Sequence, residues 1–297
     1  MSDVLGLLVL LLGAATPILF AALGELVVER AGVLNLGVEG MMIGGALAGF
    51  AVAHHSASPA LGFVAAALAG AGLGLILALL TQALMAGQVA AGLALTLFGL
   101  GLTAMFGKPY EGLKAPAMAP GPLGLNPVVW LGLAMVPATW WFLMRSRAGL
   151  ILRAVGENHD SAHALGYRVR AVRVAAIAFG GAMAGIGGAY ISIATVLQWT
   201  EGMTAGAGWI ALAIVVFAGW NPWGVLAGAW LFGGVSVLQL RLQAAGVAVP
   251  VQLLSMAPYL ATILVLVLIS ARQRARRDGP GGGGAPGSLG RPFHALR

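Results

Sequence analysis

Charged side chains crowd into one short stretch of a chain that has few of them. The sequence GELVVERAGVLNLGVEG, residues 24–40, contains Glu25, Glu29, Arg30 and Glu39, whereas charged residues make up 8% of the 297 residues. Carboxylates can act as general acids and bases, but the carboxylates of this chain offer no pair at a persuasive spacing. Two roles remain open for this cluster: an interfacial elbow in which Glu25 or Glu29 lies near Arg30, or part of a solute pathway.

The motifs of nucleotide and metal chemistry are missing from the sequence. No G-x-x-x-x-G-K-[ST] phosphate loop occurs, and the one Gly-Lys pair, Gly107-Lys108, is followed by Pro109 where a magnesium-binding hydroxyl is required. The five histidines have no neighbouring carboxylates except around residues 157–163, and cysteine is absent. We therefore expect no catalytic residue, no metal site and no cofactor in this chain.

The amino-acid composition indicates an integral membrane protein. Hydrophobic residues make up 60% of the chain, and the mean hydropathy is +0.94, which leaves too little polar surface to cover a soluble globule. Six of the sixteen basic residues lie within 145–173 and six within 272–297. Because such clusters beside apolar segments are typical of cytoplasmic loops, the net charge of +7 does not indicate a nucleic-acid partner.

The uncharged intervals predict an all-α polytopic membrane protein with eight to ten transmembrane helices. A helix needs about 20 residues to cross the hydrocarbon core. Residues 40–107 carry no charged side chain and are long enough for three helices, with turns at 54–59 and 81–88. The further crossings fall within 4–23, 115–144, 174–200, 202–240 (two, with NPWG as the turn) and 242–271.

The arginine clusters orient these crossings. An even number of crossings separates the clusters, so both are expected on the cytoplasmic side, while Lys108, Glu111 and Lys114 lie outside together with the N-terminus. Residues 1–277 form the transmembrane domain. The Gly/Pro-rich segment 278–297 cannot bury a core of its own and is expected to be a disordered cytoplasmic tail.

Glycines and helix-end residues predict how the helices meet and where one breaks. In GGALAGF and GGAMAGI the paired glycines lie on one helical face, Gly45 with Gly49 and Gly181 with Gly185, which permits close helix contact. Within residues 24–40, Gly32 can end one helix, Asn35 can cap the next, and Glu39 falls in that helix's first turn. We predict a helix broken at residues 32–35, with close packing at Gly37 and Gly40.

The charged segment 145–173 contains the signals of a short cytoplasmic helix. Asn158 can act as its N-cap, Asp160 lies in the first turn, and Gly166 can close it after about two turns. Ala162 belongs to its modest apolar side. The segment is either a solvated connector or a docking helix for a soluble partner, because a capped helix held between two membrane helices can transmit a push to both.

Several motifs resemble the ABC transporter permeases that serve nucleosides, simple sugars and branched-chain amino acids, and are most similar to the nucleoside or purine type. GELVVERAGVLNLGVEGMM, residues 24–42, is the most specific, and TEGMTAGAGWIALA, residues 200–213, is similar to a second family motif. RAVGENHDSAHALGYRV resembles the coupling loop of the family, although His159 replaces a usual proline and Tyr167 a usual isoleucine. The matched positions to which an ATPase-coupling role carries over are Arg153, Gly156, Glu157, Asn158, Ala162 and Gly166.

The resemblance implies a permease of the cell membrane that works by alternating access, with ATP and magnesium bound by separate cytoplasmic subunits. A second, related permease chain and an extracytoplasmic solute-binding protein would complete the importer. Its solute would be small and neutral, first a nucleoside or purine, then a simple sugar or a branched-chain amino acid. The candidate pathway residues are Glu25, Glu29, Arg30, Gly32, Asn35, Gly37, Glu39 and Gly40, and the candidate outer gate is Thr200, Glu201, Gly202 and Met203.

Two other classes of function remain open from the residues alone. One is a self-contained secondary carrier or channel, and the other is a structural membrane scaffold. The lack of carboxylates at the centres of the predicted spans argues against proton or sodium coupling. Glu201 could equally lie at the water interface, and we expect four tryptophans to be interfacial anchors: Trp199, Trp209, Trp220 and Trp223.

Overall fold

The computed structural model describes residues 2–245 and 284–294, together with the single positions 256, 260, 263, 264 and 267. This part of the chain is built of helices, with two isolated β-bridges between loops. The helices are α1 Ser2–Arg30, α2 Val38–Ser56, α3 Pro59–Ala78, α4 Gln88–Gly107, α5 Pro127–Arg145, α6 Arg147–Glu157, α7 His159–Ala164, α8 Val169–Ala189, α9 Ala207–Phe217 and α10 Pro222–Ala244. Short π-helical extensions, Leu79–Ala83 and Tyr190–Thr195, continue α3 and α8.

Six helices of the described part are long and apolar enough to cross a membrane, which confirms an all-α polytopic fold. The three helices predicted between residues 40 and 107 are α2, α3 and α4. The pair predicted within 202–240 consists of a long α10 and of α9, whose 11 residues span only about 16 Å. The crossing predicted within 242–271 lies outside the described residues, apart from isolated positions and the end of α10.

Three of these helices begin with the same local signal. A Ser or Asn precedes a proline at the first helical position, in Ser58-Pro59, Asn126-Pro127 and Asn221-Pro222. The Asn126 and Asn221 side chains accept hydrogen bonds from the amides of Val128 (2.9 Å) and Trp223 (3.1 Å). Proline costs nothing there because the first amide has no partner within the helix, so these dipeptides fix where the chain re-enters the bundle.

Small residues let α2, α3 and α8 pack at backbone distance. A Cβ atom added to Gly45 would overlap the backbone of Gly185, and one added to Gly181 would overlap the carbonyl of Gly70. The two similar glycine motifs, on α2 and α8, therefore pack directly against each other. This confirms the predicted close contact and makes α8 the central helix of the described bundle.

The loops identify the two ends of the bundle. Residues 108–115 meet residues 197–199, where the Ala115 amide donates to the Leu197 carbonyl at 2.9 Å. This end lies at the far end of α8 from α6 and α7. Trp199 is 1% exposed and its indole lies against Gly107, so the expectation of an interfacial anchor is wrong for this residue.

The C-terminal segment 284–294 is ordered against α6 and α7. Ser288 and Phe293 are each 4% exposed, and the Ser288 amide donates to the Gly156 carbonyl at 2.8 Å. The expectation of a disordered tail therefore fails for this segment. Its composition cannot build a core, but its serine and phenylalanine fill a surface that another part of the chain provides; residues 278–283 and 295–297 lie outside the described part.

Candidate functional site

Gly32 terminates the first helix as its C′ residue, two positions beyond Arg30, as the sequence predicts. Gly32 has a φ of 83°, and its amide donates to the Glu29 carbonyl at 2.8 Å, while the Val33 amide reaches the Val28 carbonyl at 3.3 Å. Glycine is needed on two grounds, since a Cβ would be strained at this φ and would lie 3.0 Å from Arg173 Nη2. The helix break is thus confirmed, and it extends through residues 31–37.

Asn35 holds the break without being the N-cap of α2. Its Oδ1 accepts from the Gly37 amide at 3.0 Å, and its Nδ2 donates to Glu25 Oε2 at 3.0 Å. The helix begins two residues later than a cap at Asn35 would require, with Gly37 in the N-cap position. Glu25 is fully buried, and its Oε1 has no hydrogen-bond partner in the described part of the chain.

Glu39 lies in the first turn of α2 as predicted, but its side chain binds the start of α9. Oε1 accepts from the Thr204 hydroxyl (2.6 Å) and from the Gly206 amide (2.9 Å), and Oε2 accepts from the Gly208 amide (2.7 Å). The carboxylate therefore caps a helix whose bonded residues lie 165 to 169 positions away along the chain, where the helix dipole also favours it. Two helices begin side by side at this point.

Glu29 and Arg30 bind Trp220, which follows the other end of α9. The Trp220 indole Nε1 donates to Glu29 Oε2, and the Trp220 carbonyl accepts from Arg30 Nε (3.2 Å) and Nη2 (2.9 Å). Within the described residues Arg30 forms no ion pair with Glu25 or Glu29, and the interfacial-elbow role of this cluster stays a prediction. Trp220 is 7% exposed and is not an interfacial anchor, whereas Trp209 and Trp223 are half exposed.

Close packing at Gly37 and Gly40 ties the break to α4. A Cβ on Gly40 would lie 2.7 Å from the Leu95 carbonyl, and one on Gly37 would lie 2.9 Å from the Leu95 side chain. The Thr96 hydroxyl donates to the Leu36 carbonyl at 2.9 Å. The irregular backbone of residues 31–37 is therefore enclosed by protein, as non-helical backbone at membrane depth must be.

The predicted coupling helix is present as α7. Asn158 Oδ1 accepts from the Ser161 amide at 2.9 Å, Asp160 lies in the first turn, Ala162 is buried, and Gly166 has a φ of 85°. Sequence reasoning missed α6, which precedes it. Its signals were a serine N-cap, Ser146 Oγ accepting from the Gly149 amide at 2.9 Å, and small or apolar residues on one face: Gly149, Leu152, Val155 and Gly156.

The coupling segment, α6 with α7, touches the break directly. A Cβ added to Gly156 would overlap the Arg30 carbonyl, and the Gly156 Cα lies 3.2 Å from the position of a Cβ on Gly32. Glu157, next in sequence, is exposed and accepts from the Gly287 amide at 3.3 Å. Arg153 is half-buried, with a buried Nε atom that has no partner among the described residues.

Arg173 joins the same elements and was not predicted. It is fully buried at the start of α8; Nε donates to the Ala31 carbonyl (3.3 Å), Nη1 to the Arg291 carbonyl (3.0 Å) and Nη2 to His159 Nδ1 (3.2 Å). The sequence shows it only as the last member of an arginine cluster, although its position inside an apolar helix was a usable signal.

His159, the third partner of Arg173, is bound in its neutral form. Burial, and next the charge of Arg173, lower the pKa of His159, while Asp160, 3.5 Å from Nε2, acts in the opposite direction. Because a guanidinium only donates, Nδ1 accepts from Arg173 and the ring proton belongs on Nε2. A neutral imidazole is the form that fits beside the arginine.

The candidate outer gate lies at the opposite end of the molecule. Thr200, Glu201 and Gly202 are exposed, Met203 is half-buried, and Gly202 has a φ of 67°. The gate residues lead from buried Trp199 down to Thr204, the residue that Glu39 binds. The break and the gate segment are thereby connected through one carboxylate.

One cavity of the described part is apolar and does not suit a polar solute. It measures about 510 Å³ and lies between α1, α5, α6 and α8, where Thr139 is the one polar residue in its lining. No group of three or more His, Asp or Glu residues in the described chain could hold a metal ion. Within the described residues, the site therefore consists of contacts between helices and loops and not of a cluster of metal-binding groups.

Several known proteins are similar to this chain in sequence. A putative glucose ABC transporter permease protein of Haloferax volcanii is 41% identical over 305 residues, covering 90% of this chain and 92% of its own length. The guanosine ABC transporter permease protein NupQ of Bacillus subtilis is 31% identical (92% and 93% covered), and the nucleoside permease protein NupC of Lactococcus lactis is 30% identical (89% and 92%). No solved structure matches at the same significance.

The family described as branched-chain amino acid transport system, permease component, matches residues 7–271, which include the break, the coupling segment and the gate. Its match covers most of the chain, and the relatives are permeases over nearly their whole length. The chain therefore belongs to this family of ABC transporter permeases.

Proposed function

We propose that this multi-pass membrane protein is the permease subunit of an importer for a neutral solute that carries a sugar ring, preferably a nucleoside. The observation that carries the proposal is the direct contact of the coupling segment with the broken helix, through Gly156 at Arg30 and through Arg173. A push on α7 from a cytoplasmic ATP-binding subunit would reach the break, and Glu39 would pass it to α9 and the gate segment.

ATP hydrolysis belongs to that partner subunit in this proposal. A second permease chain, a related one that makes a heterodimer, faces this chain across the pathway, and an extracytoplasmic binding protein delivers the solute. The segment 284–294 lies on the side of the coupling segment, which supports a cytoplasmic C-terminus. Thr200 and Glu201 are exposed polar residues at the proposed outer end and are the gate residues that would meet a solute there.

The nucleoside preference rests on two relatives whose names specify guanosine and nucleoside, and a glucose permease is the second candidate because the Haloferax relative is named for glucose. Uptake of labelled guanosine and of labelled glucose into cells that express the complete transporter separates the two. Competition by excess unlabelled guanosine is expected for the first, and competition by glucose alone would favour the second.

Dependence on a partner tests the transport mechanism. Purification of the tagged chain is expected to recover an ATP-binding subunit, and deletion of residues 156–166 is expected to abolish that association while membrane insertion persists. Association at the wild-type level after the deletion would contradict the docking role. Solute flux in vesicles that contain this chain alone would favour a self-contained carrier.

A further inference from the structure

The C-terminal segment 284–294 binds the coupling helix through backbone and side chain together. The His159 amide donates to Ser288 Oγ at 3.2 Å, and Ser288 Oγ lies 3.3 Å from the Glu157 carbonyl. The Phe293 ring meets His159 and His163 edge-on, with centroids 5.4 and 5.2 Å away. Phe293 also packs into a small core with Val155, Ala162 and Val169.

The segment also reaches the helix break. The Arg291 carbonyl accepts from Arg173 Nη1 at 3.0 Å and from Gln88 Nε2 at 3.5 Å, and Gln88 Oε1 accepts from the Leu34 amide at 2.7 Å. The segment 284–294 therefore contacts α7, Arg173 near the start of α8, and the broken-helix loop 31–37. These are the elements that must keep a fixed relation if a push on α7 is to move the break.

The tail covers one face of α7 and leaves the other free. Its contacts are to His159, Ala162 and the edge of His163, whereas Asp160, Ser161 and Leu165 are exposed, Leu165 at 76%. A tail that blocked docking would cover Leu165 and its neighbours. The tail instead contacts the face of α7 opposite these exposed residues. Such support matters because a helix of six residues is not stable by itself in water.

We propose that the segment 284–294 is an integral part of the docking site for the cytoplasmic ATP-binding subunit, a brace that holds α7 in the orientation the subunit binds. This inference rests on the proposed function. Ordering α7 in advance removes the entropy cost of fixing it at the moment of docking, so loss of the brace weakens association even though the exposed face of α7 is unchanged.

Three variants of the chain test the brace. Phe293→Ala removes its apolar anchor, and truncation after residue 283 removes the segment. His159→Pro removes the amide that donates to Ser288 Oγ and the ring that meets Phe293, yet proline is well tolerated at the first position of a helix. Phe106→Ala is the matched control, because it deletes an exposed phenylalanine on α4, far from the tail.

A reporter of tail docking accompanies these variants. The chain has no cysteine, so Ser288→Cys places a single thiol at a position that is 4% exposed when the tail is docked. Labelling with a maleimide is expected to be slow in the otherwise wild-type chain and fast when Phe293→Ala or His159→Pro is added. Fast labelling in the otherwise wild-type chain would show that the tail is not docked and would overturn the proposal.

The decisive readout is the amount of ATP-binding subunit recovered per inserted permease. We expect a loss of about tenfold in each of the three variants and none in Phe106→Ala. Full recovery with a tail shown to be released would overturn the brace while leaving the proposed function intact. Failure of the wild-type chain itself to recover any ATP-binding subunit would instead contradict the proposed function.

Discussion

Each of the three glutamates in residues 24–40 binds a different part of the molecule. Glu25 binds Asn35 within the break, Glu29 binds Trp220, and Glu39 binds the start of α9. Their crowding and the helix break could be predicted from local patterns. Their partners could not, because Thr204 and Trp220 lie 165 and 191 residues away in sequence.

Replacement of Glu39 tests its capping of α9. Glu39→Ala leaves the Thr204 hydroxyl and the amides of Gly206 and Gly208 without their acceptor, so the free energy of unfolding is expected to fall by about 2 kcal/mol or more. Glu39→Gln keeps one oxygen and is expected to lose less. Thermal denaturation in detergent measures both, and Glu111→Ala, at an exposed glutamate, is the control; equal midpoints for Glu39→Ala and the control would refute the capping.

The lowered pKa of His159 predicts that acid releases the tail. The docked state holds the ring neutral beside Arg173, so docking is fully stable above the ordinary histidine pKa and weakens as the pH falls through the lowered one. The charged and titratable groups nearby are Arg173, Asp160, Arg291 and His294. Because maleimide attacks the thiolate, whose fraction falls with pH, the labelling rate of Ser288→Cys is divided at each pH by that of Ser288→Cys with Phe293→Ala, in which the tail is released. This ratio is expected to rise between about pH 7 and pH 5, and His159→Gln should flatten that response; a ratio independent of pH in both chains would contradict it.

At the scale of the element, helix boundaries followed from local residues and helix neighbours did not. Asn-Pro and Ser-Pro dipeptides, Gly32 and Gly166 marked ends that the structure confirms. The sequence showed a face of small residues on α8. It did not show that this face packs between α2 and α3, because a small-residue face does not specify its partner. The tail was misjudged because composition describes what a segment can bury alone, and not what it can bury against another segment.

The crossing of α2 and α8 is expected to tolerate no side chain. Gly45→Val places a Cβ and two methyl groups where the Gly185 backbone lies, so the helices must separate. We expect severe loss of folded protein, measured as monodisperse permease after extraction. Gly72→Val is the matched control, because nothing lies within 4 Å of a Cβ at that exposed position of α3; equal yields of both variants would show that the close crossing is not required.

At the scale of the whole molecule, the contacts form one connected path from the end that holds α6 and α7 to the end where residues 108–115 meet residues 197–199. The coupling segment meets the break at Gly156 and Arg173, the break holds α9 through Glu29, Arg30 and Glu39, and Glu39 binds Thr204 beside the gate segment. Family motifs in the sequence indicated the parts of this path. The way they connect emerged from the fold, because each link joins residues that are distant in the chain.

The most direct test of this path is the number of solute molecules imported per ATP hydrolysed by the assembled transporter. Gly32→Leu puts a side chain at a φ of 83° and against Arg173, and Asn35→Leu removes both hydrogen bonds of that residue. We predict that both variants assemble with the ATP-binding subunit and hydrolyse ATP but import far less solute per ATP than Glu25→Gln. An import ratio that is the same in all three variants and in the wild-type chain would contradict the account.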